Sequence, residues 1–291
     1  MLKLLVLSLV TLSSLSLVEP SIASQKYKFK DASYQSGSLP VKAKLSYLEV
    51  EDNNFLTNFR VRITRNKKTI LDSELPVKLL PTYDKEVGVS GNDADIEIIE
   101  LDANGEPEVL VDLTEAGAHC CASTFIYSYD SKAKKYKVLS HFWGNYTSGY
   151  NLSGVSGKDN DRNLPDLNKD GSPEFVALDD RFRGEFGAYA VSAAPVQIWR
   201  YSRGKMVDVT RQFPKIVYQN TADLWKMYSQ IRSEYDAQSA QGAMAAYVAS
   251  KFLLGQEAEA MQRLRQAYSD SSGKEFTSKL MNFLRQTGYA K

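Results

Sequence analysis

The sequence predicts an α+β fold, with antiparallel β structure first and a small all-α part last. Three observations carry this prediction. The segment GVSGNDADIEIIELDANGEPE (88–108) recurs as GVSGKDNDRNLPDLNKDGSPE (154–174), aligned without a gap and identical at 10 of 21 positions. Stretches on either side of the first copy alternate apolar and polar residues, as half-buried strands do. After Pro214 the β-branched content falls and apolar residues recur at helical spacing.

The elements follow in order. Residues 24–83 form an N-terminal β segment, in which LSYLEVE and FRVRIT alternate and RITRNKKTILDSEL is a hairpin turning near Asn66-Lys67. Residues 84–214 hold the duplication. Downstream of the two copies, 125–142 and 197–213 each read as strand, turn, strand, with Tyr129 corresponding to Tyr201. Each unit is therefore a strand, an acidic loop, a strand, a variable loop and a hairpin. Residues 219–291 are helical, with helices expected near 221–236, 240–254, 257–268 and 274–287. Gly255 and Gly288 stand where glycines just past a helix end belong.

The N-terminus reads as a cleavable signal peptide over 1–23. Lys3 precedes an apolar run from Leu4 to Val18, and Ser21-Ile22-Ala23 places small residues before the cleavage point. The run is shorter than the ~20 apolar residues that span a bilayer, and no later run is longer. A secreted or periplasmic protein is expected, with no transmembrane segment in the mature chain. The net charge of +1 gives no electrostatic footprint for nucleic acid.

The acidic loops carry the candidate chemistry. With Asp166 as position 1, oxygen-bearing side chains fall at positions 1, 3, 5 and 9: Asp166, Asn168, Asp170 and Glu174. The first copy supplies Glu100, Asp102, Asn104 and Glu108, and Gly171 and Gly105 hold position 6. Alternate residues of a tight loop can turn their oxygens toward one centre, and Ca²⁺ takes six to eight hard oxygen ligands. An EF-hand would need Glu at position 12, where Ala177 and Val111 stand, and a helix on each side, where strands follow. The competing reading is a pair of Asx-type turns with solvated charge.

The pattern D-x-D-x-D-G-x-x-D/E entering a strand resembles the calcium loop of FG-GAP (VCBS-type) repeats, found in the β-propeller blades of integrin α subunits. The resemblance covers roughly 85–212. It implies structural Ca²⁺ on the eight residues named above and blade-like units forming a partial propeller. The first copy departs from the pattern with Glu100 at position 1 and Asn104 at position 5.

Cys120 and Cys121 are the only cysteines, and they are adjacent. In an oxidising compartment they can pair with each other, as a vicinal disulfide, or between chains. A rigid kink, a redox switch, and a nucleophile or soft-metal site with His119 and His141 are the roles open to the segment. Consecutive residues of extended chain point opposite ways, which disfavours the last.

Two function classes remain. One is a non-enzymatic binding module for a protein or glycan ligand, with aromatics such as those of HFWGNYTSGYN (141–151) on display. The other is a hydrolase of glycan or cell-wall material using the loop carboxylates Asp179 and Asp180. The loop holding those aspartates also contains Arg181, Arg183 and Glu185, which favours ion pairing over catalysis.

Overall fold

The computed structural model describes residues 25–36, 39–50, 55–83, 91–116, 120–145 and 164–291. The expected signal peptide, His119 and the whole of 146–163, with the end of the HFWGNYTSGYN stretch, lie outside these residues, as does the start of each repeat copy.

Eight strands make one open antiparallel sheet: β1 (Gln25–Ser36), β2 (Leu39–Val50), β3 (Phe55–Arg65), β4 (Lys68–Glu74), β5 (Gly91–Ile99), β6 (Glu108–Glu115), β7 (Cys120–Asp130) and β8 (Lys135–Asn145). Their spatial order is β1-β2-β3-β5-β6-β7-β8, with β4 also on β3. The two neighbours divide one edge of β3. β4 pairs along Arg60–Arg65, and β5 joins at the other end through Leu56 opposite Gly91. The N-terminal strands and the first repeat unit thus share a sheet. The β3–β4 turn falls at Asn66-Lys67, both at positive φ (49° and 64°), the backbone a two-residue type I′ hairpin requires.

The second unit makes a separate sheet in the order β11-β10-β9, from β9 (Glu174–Leu178), β10 (Val196–Ser202) and β11 (Lys205–Asp208). Four helices follow: α1 (Pro214–Glu234), α2 (Gln241–Leu253), α3 (Glu257–Ala267) and α4 (Ser271–Gln286). The expected helices coincide with them, except that α1 begins earlier. Pro214 takes the first helical turn, where its missing N–H costs nothing. Gly255 and Gly288 sit at φ +69° and +84°. After α2, Gln256 N–H bonds Lys251 O and Gly255 N–H bonds Phe252 O; after α4, Tyr289 N–H bonds Leu284 O and Gly288 N–H bonds Arg285 O. Both ends are Schellman caps.

The period of two along the strands builds three layers. In the large sheet, Val109, Val111, Leu113, Phe125 and Tyr127 face a core shared with β2 and β3. Their neighbours Leu110, Ala122, Ile126 and Trp143 point the other way, onto Phe175, Ala177 and Tyr201 of the small sheet. The opposite face of the small sheet, with Val196 and Ile198, packs on Val217 of α1. The helices then bury their own core around α2, whose Gly242–Phe252 stretch is wholly buried. Each fully buried side chain of the middle layer, such as Leu110 or Phe175, contributes about 1.5–3 kcal/mol. Arg211 fastens sheet to helices: it donates to Phe252 O (3.0 Å) and Leu253 O (3.3 Å) at the end of α2 and to Tyr289 O (3.1 Å) after α4.

Candidate metal centre

The first acidic loop joins β5 to β6, which pair up to Ile99 opposite Glu108. The second leads into β9. The two loops have the same backbone. Position 4 is left-handed in both (Ala103 φ 53°, Lys169 φ 61°), and so is position 6 (Gly105 φ 83°, Gly171 φ 89°). Three hydrogen bonds are duplicated as well. The position-5 N–H donates to the position-1 carboxylate: Asn104 to Glu100 at 3.0 Å, Asp170 to Asp166 at 3.1 Å. The position-7 N–H donates to the position-5 side chain: Glu106 to Asn104 at 2.7 Å, Ser172 to Asp170 at 2.9 Å. The position-2 N–H donates to the last carboxylate: Leu101 to Glu108 at 3.1 Å, Leu167 to Glu174 at 2.9 Å. The loops adjoin, since a Cβ on Gly171 would lie 3.6 Å from that of Ala103.

The loops differ in how their charge is balanced. Glu174, fully buried, accepts from Arg200 Nε at 2.9 Å and forms an ion pair with the same guanidinium. Arg200 also stands 3.5 Å from Asp170. Hydrogen bonds from Asn168 and Ser172, with the Arg200 charge, hold the Asp170 carboxyl below the usual range.

Cross-strand geometry explains the difference. Arg200 lies opposite Glu174 in the β9–β10 ladder. In the first unit Val109 pairs with Tyr127, so one further step of that register brings Ser128 opposite Glu108. Serine supplies no positive charge, and its hydroxyl bonds the buried Tyr201. Glu108 is 1% exposed. Burial, with the nearby charges of Asp102 and Glu100, pushes its carboxyl up to about 8.

Oxygens of Glu100, Asp102 and Glu108 come within 4.8 Å of one another, and Asp102 Oδ1 is buried without a hydrogen-bond partner. The other oxygen, Oδ2, accepts weakly from Arg203 N–H at 3.4 Å. Among the described residues no lysine or arginine forms an ion pair with any of these three carboxylates. The cluster therefore fits a hard cation. Glu100, Asp102 and Glu108 would ligate it, and Asn104 completes the set expected from spacing. Arg65, reaching from β3, pairs with Glu106 and stacks 4.2 Å over Tyr129, which fixes the loop's outer side.

The sequence pattern favours the aspartate-rich second loop over the first, which departs from it at Glu100 and Asn104. Arg200, 26 residues beyond Glu174, comes back as the second loop's counter-ion, a pairing that no local pattern announces.

The remaining candidates separate. Asp179 is buried, and both its oxygens are engaged: Oδ1 by Arg181 Nε (2.8 Å) and N–H (3.1 Å), Oδ2 by Arg181 Nη2 (2.6 Å) and Tyr289 hydroxyl (2.8 Å). Such a carboxylate is one half of a structural ion pair, its oxygens taken up by Arg181 and Tyr289. Asp180 packs against Gly144. Cys121 is buried, at a point where the β7–β8 register shifts between Cys120 and Ala122; the Cys120 side chain lies outside the described residues. Among the described residues His141 joins no group of three metal-ligating side chains. Its ring stands edge-on to Trp143 (4.2 Å) and Trp199 (4.8 Å), and burial lowers its pKa to about 4.

No helix of the described residues is long and apolar enough to cross a membrane. Residues 217–288, most of the helical part, match the model of the sll0997 C-terminal domain family. The chain is similar to the probable thylakoid lumen protein sll0997 of Synechocystis, 28% identical over 80% of this chain and 62% of that protein. It is also similar to the uncharacterized protein y4bJ of Sinorhizobium fredii, 24% identical over 62% of this chain and 26% of that protein. The matches thus span less than two thirds of either relative's length. No solved structure matches the chain. The 241 matched residues outnumber those of the helical part, so the likeness to sll0997 extends into the β part of this chain.

Proposed function

We propose that the chain is an exported, non-enzymatic binding module whose duplicated β units are held by structural calcium. One observation carries the metal reading: Glu108 is buried beside Glu100 and Asp102 with a serine, and no arginine, across the strand. Without metal Glu108 keeps its proton at neutral pH, and a cation would take that proton's place among the three carboxyl groups; the buried, unpartnered Asp102 Oδ1 is an acceptor open to it. Carboxylate and amide oxygens in a flexible loop suit Ca²⁺ better than Mg²⁺, which demands near-ideal octahedral geometry. The FG-GAP likeness, drawn from the loop pattern, agrees. The second loop, Asp166, Asn168, Asp170 and Glu174, binds calcium more weakly, because Arg200 already neutralises its innermost carboxylate.

Export rests on the N-terminal signal pattern and on the lumenal description of sll0997. Such compartments favour disulfides. The Cys120–Cys121 pairing belongs to the same reading, and the break in β7–β8 register between Cys120 and Ala122 supports it.

The test is thermal unfolding of the chain from Ser24 onward, in excess calcium and then with a chelator. A midpoint several degrees higher in calcium but not in magnesium, lost on Asp102→Asn with Glu108→Gln, supports the reading. An unchanged midpoint would reduce both loops to acidic turns.

A further inference from the structure

An open cleft of about 470 Å³ lies where the large sheet, the small sheet and the end of α4 meet. We infer that this cleft is a binding site for a neutral saccharide, with the Trp199 ring as its stacking platform and Gln197 and Asp208 as its hydroxyl-binding groups. This gives the binding-module reading a ligand class and rests on that reading; it does not depend on calcium.

Four features point to this ligand. First, the size falls within the range of small-molecule sites. A second hollow of about 270 Å³ adjoins it, with Arg181, Asp208 and Thr287 as walls common to both. Second, the aromatic floor is pre-set. His141 stands between Trp143 and Trp199 on neighbouring sheets, edge-on to each. Trp143 is anchored below by its Nε1 donating to Thr124 at 2.8 Å, and Trp199 remains half-buried at the cleft. Trp199 Nε1 donates to Gln197 at 3.3 Å, tying the amide to the indole edge.

Third, the charge around the cleft disfavours anions. Arg181 is the cleft's guanidinium, and it is already bound by Asp179 and by Thr287 O (3.2 Å). Asp180 and Asp208 add negative charge to the wall. Fourth, one half-buried indole beside carboxylate and amide groups suits the apolar face and hydroxyl rim of a sugar ring. A cage for an organic cation needs several ring faces converging, and here Trp143 already stacks on Phe175 and meets the His141 ring edge-to-face.

Calorimetric titration of the calcium-loaded chain tests the assignment, with cellobiose, maltotriose and chitotriose as neutral probes. Tetramethylammonium and inorganic phosphate serve as charged ones. Saturable binding of a neutral sugar is expected, weakened about tenfold or more by Trp199→Ala and by Gln197→Ala, and largely retained by Trp199→Phe. No binding by any sugar would overturn the assignment. So would sugar binding indifferent to these substitutions, or a preference for either charged probe. The Glu108→Gln variant separates this from the metal reading: it is expected to lose the calcium shift while still binding sugar at its unfolding-free temperature.

Discussion

Arg200 and Glu174 face each other across the β9–β10 ladder, joined at 2.9 Å through Nε, and the buried carboxylate is thereby neutralised from within the protein. The same place in the first unit is held by Ser128 opposite Glu108. A duplicated loop has thus reached two ways of balancing one buried negative charge, a guanidinium in one copy and, as proposed, a metal ion in the other. Arg200→Ser converts the second copy to the pattern of the first. Without metal, stranding Glu174 is expected to cost about 3–5 kcal/mol. Calcium should restore part of that loss and bind the second loop more tightly than in the parent. Urea unfolding and equilibrium dialysis read the two effects, and an unchanged affinity of the second loop would count against the exchange of guanidinium for metal.

Gly144 joins the units mechanically. At φ +83°, its hydrogen faces Asp180, and a Cβ there would fall 2.1 Å from the Asp180 carboxylate. Gly144→Ala must displace that side chain or open the β8 end, so a loss above about 2 kcal/mol is expected. Gly204 gives the contrast. It has φ +80° with nothing near its missing Cβ, and Gly204→Ala should cost only the strain of the left-handed backbone, about 1 kcal/mol. Chemical denaturation of both variants checks the ratio; equal costs would show that the Asp180 contact relaxes freely.

These relationships mark the limit of what the residues reveal in order. The duplication, the hairpin at Asn66-Lys67 and the helices ending at Gly255 and Gly288 are legible because each depends on local backbone chemistry: turn residues, glycine at positive φ, apolar periodicity. The common backbone of the two acidic loops is legible for the same reason. The division of labour between the loops is not, because Ser128 and Arg200 are set opposite their glutamates by strand register. Nor is the fate of Asp179 and Asp180. As a pair of loop carboxylates they are candidates for acid–base work, yet Tyr289, 110 residues away, and Arg181 close around the first of them. The cleft beside Trp199 is assembled from three layers and leaves no contiguous motif.

The Asp179–Arg181 pair offers a sharper test of structure against catalysis. Arg181 is half exposed, whereas Asp179 is buried with Tyr289 donating to it. Removing the guanidinium leaves the carboxylate without a counter-charge, so Arg181→Ala is expected to cost about 3–5 kcal/mol. Asp179→Asn keeps an acceptor for Tyr289 and leaves a guanidinium that can turn to water, so its cost should be smaller. The double variant should then be more stable than Arg181→Ala alone. A double-mutant cycle in urea measures this coupling. A double variant less stable than either single would refute the account of Asp179 as a buried, paired ion.

His141 sets an acid limit on the same region. Its ring is packed between Trp143 and Trp199, and burial favours the neutral form, so its folded-state pKa is about 4 against an ordinary 6.5. Between those values the unfolded chain binds a proton that the folded one does not, so stability rises with pH across this window and falls as the solution is acidified. At about 1.4 kcal/mol per pH unit, this single group accounts for up to about 3 kcal/mol lost on going from pH 6.5 to 4. His141→Phe preserves a flat ring between the indoles and removes the proton. The variant's stability, relative to the parent at each pH, is therefore expected to improve steadily below pH 6.5 and to level off near pH 4. Other carboxylates that titrate on folding, Glu108 among them, are common to both proteins and cancel in the difference. Parallel pH profiles for the two would mean that the imidazole reaches solvent when charged and that the indole packing opens to admit it.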